Sequence, residues 1–301
     1  MKNLFLEKFA KNSTFLDIKN LFFIVIILFY STKIFSQQNI EYVQQADSLR
    51  KGWYFGINMG AAFPSNFSAN FYNGSSENIN KISLILDNQY YKPIIVQQIG
   101  YNYLFYELPH KMSYQPNLTV GGYVRYQFSK RSSFLLQANY ARLTASDVFL
   151  LYLEIPEGYS FDANYLQCQI MGQEERTYID LGYRFDLRNH ERYFPFIETG
   201  VNINNTKVLK NMIRIENQEY SIKYSGEHPI GPYSQDYYDI YEGGIGVGGF
   251  FTLGYALNFN ANISIDPSLT FYFTSTHLEG YTNMKPGFNL LVRLMFRNFD
   301  F

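Results

Sequence analysis

The chain has 301 residues, of which 19% are aromatic and 17% charged, and its formal net charge is −1. This balance gives no support to nucleic-acid binding, which needs a basic surface. The mean hydropathy is slightly negative although 47% of the residues are hydrophobic, so apolar and polar residues are finely mixed. Such mixing excludes a bundle of transmembrane helices, which needs apolar runs of about 20 residues, and favours strands with two different faces.

The first element along the chain is the apolar run Leu21–Tyr30, which four lysines precede and Ser36 follows. A basic region, a short apolar run and a small residue at the cleavage point predict a secretory signal peptide over residues 1–36. An uncleaved anchor is the alternative, although the run is short for a membrane span. We expect residues 37–51 to form a short periplasmic segment and residues 52–301 to form the folded domain. The lone Cys168 cannot form an internal disulfide.

From Trp53 onward, apolar and polar residues alternate with period two, which on a strand separates two faces. Eight segments show this pattern: residues 53–63, 117–128, 134–140, 179–185, 197–203, 245–253, 258–273 and 288–296. Short connections (129–132, 186–192 and 255–258) alternate with long ones (64–115, 144–176, 204–242 and 275–285). Tight periplasmic turns and long extracellular loops alternate in this way in outer-membrane barrels. The pattern therefore predicts an all-β, eight-stranded, antiparallel up-and-down transmembrane β-barrel.

Two alternatives share this pattern. Residues 81–107 are also strand-like, so the first long loop extends as a hairpin or the barrel has ten strands. A soluble lipocalin-like barrel shows the same alternation with its apolar face turned inward. The glycines and charges of the polar face suit a narrow interior, and aromatic residues near strand ends, such as Tyr126 and Phe128, suit interfacial girdles. These features favour the membrane barrel.

The C-terminal segment 287–296 alternates five apolar residues on one face: Phe288, Leu290, Val292, Leu294 and Phe296. It resembles the signal by which the barrel-assembly machinery recognises its substrates, although five more residues follow it. Together with the signal peptide and the strand pattern, it makes the chain similar to the outer-membrane β-barrel domain families labelled PorT-like. The resemblance implies a place in the outer membrane of a Gram-negative cell. Many members of these families have no assigned activity, so it implies no reaction.

Seven charged residues fall on the polar face and are predicted to face the barrel interior: Arg125, Asp180, Arg184, Glu198, Asp266, Arg293 and Arg297. The interior of an eight-stranded barrel is filled by side chains, and buried ions must pair or lose their charge. We interpret the set as a structural charge network. A relay or a pore lining is the functional alternative.

Candidate chemistry is sparse. Gly244–Gly249 matches G-x-G-x-x-G, but strand periodicity continues after it, whereas a dinucleotide site needs a helix there. No pair of His or Cys has the spacing of metal ligands, so we expect neither a cofactor nor a metal. Ser275, His277 and Glu279 at the outer rim contain the residue types of a Ser-His-Glu hydrolase. They resemble the lipid A deacylase barrels only loosely, because those enzymes carry Ser two positions after His, where this chain has Glu279.

The long loops are rich in Tyr, Asn and Ser, as in residues 236–241. Exposed Tyr on loops suits contact with a protein or glycan partner, and it equally suits loops that pack on one another. We therefore expect a non-enzymatic outer-membrane protein, in contact with membrane lipid, whose loops bind a partner or ligand or support the envelope. A rim-located lipid hydrolase, a narrow channel and a soluble ligand-binding barrel are the alternatives.

Overall fold

A computed structural model of the protein describes residues 51–156, 164–187, 193–222, 242–259 and 262–297. All of them belong to the second of two units of the chain, Leu49–Phe301. The strands in these residues are β1 (Gly52–Phe63), β2 (Tyr103–Glu107), β3 (Asn117–Gln127), β4 (Ser132–Leu153), β5 (Tyr165–Asp186), β6 (Tyr193–Ile215), β7 (Gln218–Ser221), β8 (Gly243–Asn258), β9 (Ile263–Thr274) and β10 (Lys285–Arg297).

Eight of these strands pair in a closed ring. Following the ring from β1, the neighbours are β3, β4, β5, β6, β8, β9 and β10, and β10 pairs again with β1. Every pairing is antiparallel, and each of these strands has a partner on both sides, so the ring leaves no open edge. The predicted eight-stranded antiparallel barrel is confirmed.

The apolar face of the strands points outward. In β1 the side chains of Trp53, Ile57 and Met59 are 51%, 61% and 58% exposed, whereas Asn58 on the opposite face is fully buried. The same division holds around the ring: Leu118, Phe134, Leu181, Val201, Val247 and Phe273 are all exposed. A soluble barrel buries its apolar face, so the lipocalin-like alternative is wrong.

The remaining two strands lie outside the ring. β2 pairs with the last residues of β4, and β7 forms a hairpin with the end of β6. Between β1 and β2 the chain forms helix α1 (Asn66–Ala69), a 3-10 turn (Asn70–Tyr72), helix α2 (Ser83–Leu86) and helix α3 (Tyr91–Ile99). The predicted hairpin over residues 81–107 is therefore wrong, because only residues 103–107 are extended. None of the helices in the described residues is long and apolar enough to cross a membrane.

Three adjacent strands are much longer than the others. β4, β5 and β6 have 22, 22 and 23 residues, whereas β1, β3, β9 and β10 have 11 to 13. The predicted connections 144–176 and 204–242 are therefore wrong, since strand continues to Leu153, resumes at Tyr165 and reaches Ile215. The predicted turn 255–258 is also wrong, because β8 runs to Asn258. We call the extended ends of these strands, residues 141–153, 165–178 and 204–215, the wall.

The hydrophobic alternation changes phase where the wall begins. In the lower half of β5, Ile179 and Leu181 face outward and are exposed, whereas Asp180 and Arg184 are buried inside. In its upper half the inward residues include buried, apolar Cys168 and Ile170, whereas the outward residues are mostly polar: Gln167, Gln169, Gln173 and Glu175, with Met171 among them. β4 and β6 show the same reversal, with Leu143, Phe149, Ile213 and Ile215 buried on the inner face.

The helical segment packs against the inner face of the wall. We call residues 66–112 the cap. Buried residues of the cap, including Phe71, Ile85, Ile95 and Met112, form one apolar cluster with Phe149, Leu151, Ile170, Ile213 and Ile215 of the wall. The Gln98 side chain donates to the Ile215 carbonyl at 2.8 Å, which ties α3 to β6. Burial of this cluster explains why the wall has its apolar residues inside.

Candidate functional site

The barrel interior is centred on Arg184 of β5, whose side chain is fully buried. Its guanidinium group donates to Asp186 and to Asp266, each at 2.8 Å, and lies 3.7 Å from Glu198. The Phe196 ring lies beneath it, with 3.6 Å between the guanidinium carbon and the ring centroid. Three carboxylates and one aromatic face therefore surround a single cation, and charge-assisted bonds of this kind are stronger than neutral ones.

A second cation, Arg293 of β10, joins the same network. It donates to Glu198 Oε1 at 2.8 Å, and the Tyr123 hydroxyl donates to the same oxygen at 2.8 Å. Arg293 also lies over the Tyr123 ring, at 4.5 Å from the centroid. The pair Arg293–Glu198 thus joins β10 to β6 across the interior.

Arg125 and Arg297 lie at the edge of this network. Arg125 approaches Asp186 at 3.9 Å and lies 4.2 Å from the centroid of the Tyr54 ring. Arg297 lies 5.9 Å from the same ring and is half-buried. Asp186 was assigned to a turn by the sequence pattern, although in the structure it is the carboxylate that joins Arg184 to Arg125.

Asp180 is held differently from the other interior acids. Its carboxylate accepts hydrogen bonds from Gln137 at 2.9 Å, Asn202 at 2.6 Å and Tyr272 at 2.9 Å. These three donors lie on β4, β6 and β9 and are uncharged. The seven residues predicted for the interior therefore divide into an arginine–carboxylate network and an amide–hydroxyl cluster around Asp180.

A further polar cluster joins the cap to the barrel. Arg176 and Glu174 of β5 form a buried ion pair with 2.5 Å between Nε and Oε1. The Tyr72 hydroxyl of the cap donates to the other oxygen of Glu174. Arg176 donates to Ser68 at 2.8 Å and to the Tyr114 hydroxyl at 3.2 Å. The Arg176–Glu174 ion pair of the wall is thus hydrogen-bonded to three hydroxyl groups of the segment between β1 and β3.

Burial and the Glu174 charge raise the pKa of the Tyr72 hydroxyl well above its ordinary value. Burial, followed by the Glu174 charge, raises the pKa of the Tyr114 hydroxyl in the same way. Both phenols therefore stay protonated at neutral pH and remain hydrogen-bond donors. The sequence pattern missed Glu174 and Arg176 because they fall in a segment assigned to a loop. The signal that identifies them is the continued period-two alternation of residues 165–178.

The residues of the enzymatic alternative lie just beyond β9. The Ser275 hydroxyl donates to the Val247 carbonyl at 3.0 Å and accepts from the Val247 amide at 3.0 Å, so it extends the pairing of β9 with β8. A nucleophilic serine has to direct its single proton to a base, and here that proton is directed to a backbone carbonyl. His277 packs over Gly244, where an added Cβ would lie 2.6 Å from the ring. Glu279 is half-buried.

The glycine-rich segment and the histidine residues form neither a dinucleotide-binding loop nor a metal site in the described residues. Gly244–Gly249 lies within β8, so the strand interpretation of the glycine-rich segment is confirmed. A Cβ on Gly246 or Gly248 would lie 2.2 Å from a carbonyl oxygen of the neighbouring segment, so close backbone approach requires glycine at both positions. Within the described ranges, no group of three or more His, Cys, Asp and Glu residues is placed to hold a metal ion. His190 and His228 lie outside these ranges.

The five residues of the predicted assembly signal lie on one face of β10. Phe288, Val292 and Leu294 are 41%, 46% and 38% exposed, and Leu290 and Phe296 are half-buried. They point outward, away from Asn289 and Arg293, which are buried inside. Phe288 stacks on Phe63 of β1 with 4.7 Å between the ring centroids.

An exposed aromatic cluster lies at the end of the wall. In β2, Leu104, Phe105 and Tyr106 are 54%, 47% and 53% exposed. The Tyr106 ring lies 4.6 Å from the Tyr165 ring, which in turn lies 5.7 Å from the Tyr152 ring. We call these five residues, together with exposed Tyr101, the aromatic tip. A row of charged residues on the outer face of the wall, Arg142, Glu175 and Lys207, lies between it and the apolar residues of the lower barrel.

No family model and no curated protein matches the chain. Among solved structures it is similar to Neisserial surface protein A (NspA), at 7% identity, over 82% of this chain and 96% of that one, with a TM-score of 0.37. The outer membrane protein OprG from Pseudomonas aeruginosa matches at 10% identity, over 83% and 98%, with a TM-score of 0.40. Ail, the attachment invasion locus protein of Yersinia pestis, matches at 11% identity, over 81% and 98%, with a TM-score of 0.31. Similarity at this level assigns no family, and the description of the fold rests on the strand pairing itself.

Proposed function

We propose that the protein is an integral β-barrel of the bacterial outer membrane that performs no catalysis and presents an extracellular surface for binding a partner. One observation carries the proposal: the lower barrel exposes a continuous apolar band on its outside while it buries charged residues inside. This arrangement is unfavourable in water and favourable in lipid, because closure satisfies the backbone and the apolar side chains contact acyl chains.

The upper limit of the band supports the proposal. Ala138 of β4, Ile179 of β5 and Ile203 of β6 lie side by side in register and point outward. Four residues further up, the outward side chains are Arg142, Glu175 and Lys207. A change from apolar to charged residues at one level on three adjacent strands is what a membrane surface requires. The wall, the cap and the aromatic tip then lie outside the cell, and the C-terminal ends of β3, β5 and β8 face the periplasm.

Fractionation of cells that express the full chain tests the membrane placement. We expect the protein in the outer-membrane fraction, extractable only with detergent, and a folded form that migrates faster than the boiled form in gel electrophoresis. We also expect the exported protein to begin at Gln37, which N-terminal sequencing measures, because residues 1–36 form the proposed signal peptide. Recovery of a folded, detergent-free protein from the periplasm would refute the placement.

The aromatic tip supports a binding role. Exposed Tyr and Phe side chains on the surface of a protein mark interfaces, since they bury a large area at a small cost in conformational entropy. In the proposed orientation the tip lies beyond the charged residues that mark the membrane surface, so lipid does not cover it. A protein or glycan partner at the cell surface is the class of ligand that this position fits.

Binding of the purified protein to arrays of glycans and of extracellular-matrix proteins tests this role. We expect Tyr106→Ser combined with Tyr165→Ser to remove binding that the unchanged protein shows. Tyr193→Ser is the matched control, because Tyr193 is equally exposed at the opposite end of the barrel. Loss of binding in the control as well, or retention of binding in the double variant, would exclude the aromatic tip as the binding surface.

The interior supports a structural role for its charges. Arg184 and Arg293 are fully buried, each is paired with carboxylates, and the cap packs above them. We therefore propose a closed barrel stabilised by a charge network, and we expect no measurable conductance in a planar lipid bilayer. The outward face of β10 supports the further proposals that the barrel-assembly machinery recognises this strand and that the chain is PorT-like.

A further inference from the structure

A polar cleft lies between the cap and the inner face of the barrel. Its walls are formed by the first residues after β1, by helix α1, by the upper parts of β5 and β9, and by the start of β10. Six hydroxyl-bearing residues and two asparagines contribute to the lining, and the two charged residues among the described lining residues are Arg176 and Lys285. No Asp or Glu belongs to this part of the lining.

Two features show that the cleft presents hydrogen-bond donors to its contents. Asn289 is 2% exposed and lines the cleft, and its Nδ2 donor has no hydrogen-bond partner among the described residues. Leaving a buried donor without a partner costs about 1–3 kcal/mol of stability. A ligand oxygen that accepts from this donor would recover that free energy on binding. Lys285 lies over the Phe67 ring at 4.4 Å, which holds its ammonium group at the cleft.

The charge of the cleft favours an anion. Arg176 adds little to this charge, because its Nη2 already donates to Ser68 at 2.8 Å and to Tyr114 at 3.2 Å and its charge is balanced by Glu174 behind it. Lys285 has no such carboxylate in the lining, so the net charge that a bound molecule meets is positive. Cations together with hydroxyl and amide donors are the groups that bind phosphate oxygens in proteins.

Gly287 leaves one side of the cleft without a side chain. It lies on the same inward face of β10 as Lys285 and Asn289, between them in sequence. A Cβ built on Gly287 would lie 3.4 Å from its nearest neighbours, which is ordinary contact. Alanine therefore fits at this position, whereas a longer side chain projects into the cleft.

We propose that this cleft is a binding site for a phosphate group, held by Lys285 and Asn289 with the hydroxyl groups of Ser65 and Thr274. The mouth of the cleft includes Phe288, which belongs to the apolar band, so the phosphate is carried either by a lipid headgroup at the membrane surface or by a small solute. The lipid source rests on the proposed membrane placement, whereas the solute source does not.

Calorimetric titration of the detergent-solubilised full chain with glucose 6-phosphate, with glucose as the uncharged comparison, tests the solute source. Native mass spectrometry after incubation with lipid A, intact or dephosphorylated, tests the lipid source. We expect one phosphorylated probe to bind and its uncharged counterpart to fail. Lys285→Gln should weaken binding about ten-fold or more, as the loss of a charged hydrogen bond does, and Gly287→Leu should abolish it.

Two matched variants keep the test specific. Gly287→Ala should bind as the unchanged protein does, and Lys130→Gln, the same change of charge in the turn after β3, should have no effect. Heat modifiability on gels verifies that each variant is folded. The proposal is overturned if neither phosphorylated probe binds, or if binding persists in folded Gly287→Leu. A soluble periplasmic protein that still binds glucose 6-phosphate would refute the membrane placement and leave the phosphate site standing.

Discussion

Tyr72 of the cap packs its ring directly on Gly172 of β5. A Cβ built on Gly172 would lie 2.0 Å from Cγ of the Tyr72 ring, a distance that real side chains do not reach. The absence of a side chain at Gly172 therefore allows the cap to pack on the wall at this point. The Tyr72 hydroxyl reaches from here to Glu174, two residues along the same strand.

We predict that Gly172→Ala displaces the cap while the barrel stays closed. The added methyl group overlaps the Tyr72 ring, and the pairing of β5 with β4 and β6 does not depend on that ring. Limited proteolysis should then cut within residues 66–112, and heat modifiability should be retained. Gly122→Ala is the control, because a Cβ there meets no atom within 4 Å. Equal protease resistance of both variants would show that the contact between Tyr72 and Gly172 does not hold the cap on the wall.

We predict that Arg184→Met strongly destabilises the barrel. The change leaves Asp266 buried without its cation and leaves Asp186 with Arg125 at 3.9 Å, and breaking a buried ion pair costs about 3–5 kcal/mol. Urea unfolding of the protein in lipid vesicles measures the change in the free energy of unfolding. Arg214→Met removes an exposed ion pair with Glu219 and should cost at most about 1 kcal/mol. Similar costs for the two variants would show that the interior network contributes little.

We predict that Leu181→Arg lowers the stability of the barrel in lipid by about 2–4 kcal/mol, as a charge on the lipid face near the bilayer midplane does. Leu181 is 58% exposed and lies near the middle of the apolar band on β5. Gln169→Arg, on the same outward face above the band, should change the stability by less than about 1 kcal/mol. If Leu181→Arg were neutral in vesicles, the outward face of β5 would not contact lipid.

We predict that the Cys168 thiol does not react with maleimide at pH 8 in the folded protein. Burial, with a smaller contribution from the Glu216 charge, raises its pKa to about 12, so the thiol is protonated and the reactive thiolate is scarce. Labelling followed by mass spectrometry should show rapid reaction only after unfolding. Gln167→Cys in a Cys168→Ala background should react quickly when folded, because position 167 is exposed on the outer face. Rapid labelling of the folded native chain would place Cys168 at the surface.

The alternation of apolar and polar residues was sufficient to predict the lower barrel, because apolar side chains point outward throughout that part. Apolar side chains outside and paired charges inside place Ile57, Leu181 and Val201 on one face and Asn58 and Arg184 on the other, so alternation alone predicts both strands and faces. Glycine or Arg at inward positions, as at Arg125, further indicates a narrow polar interior.

The wall and the cap were missed because the apolar residues change to the inner face above the apolar band. Phe149, Ile170 and Ile213 point inward under the cap, whereas Gln169 and Lys207 point outward to water. If apolar residues are expected on the outer face along the whole length of each strand, these residues do not fit and are assigned to loops. The helices of the cap were missed for a second reason: they are short, and Ile94 and Ile95 in sequence resemble a strand until Gly100, with φ of +83°, ends the helix.

The docking of the cap on the wall also constrains the order in which the protein matures. Tyr72 and Glu174 are 102 residues apart in the chain, and Asn78 and Tyr281, which are also bonded, are 203 apart. Because Glu174 lies on β5 and Tyr281 follows β9, the cap meets both partners only when these strands are part of the same closed sheet. We expect residues 66–112 to be the last part of the barrel to gain protection in pulse-labelling hydrogen exchange, after all eight strands have paired.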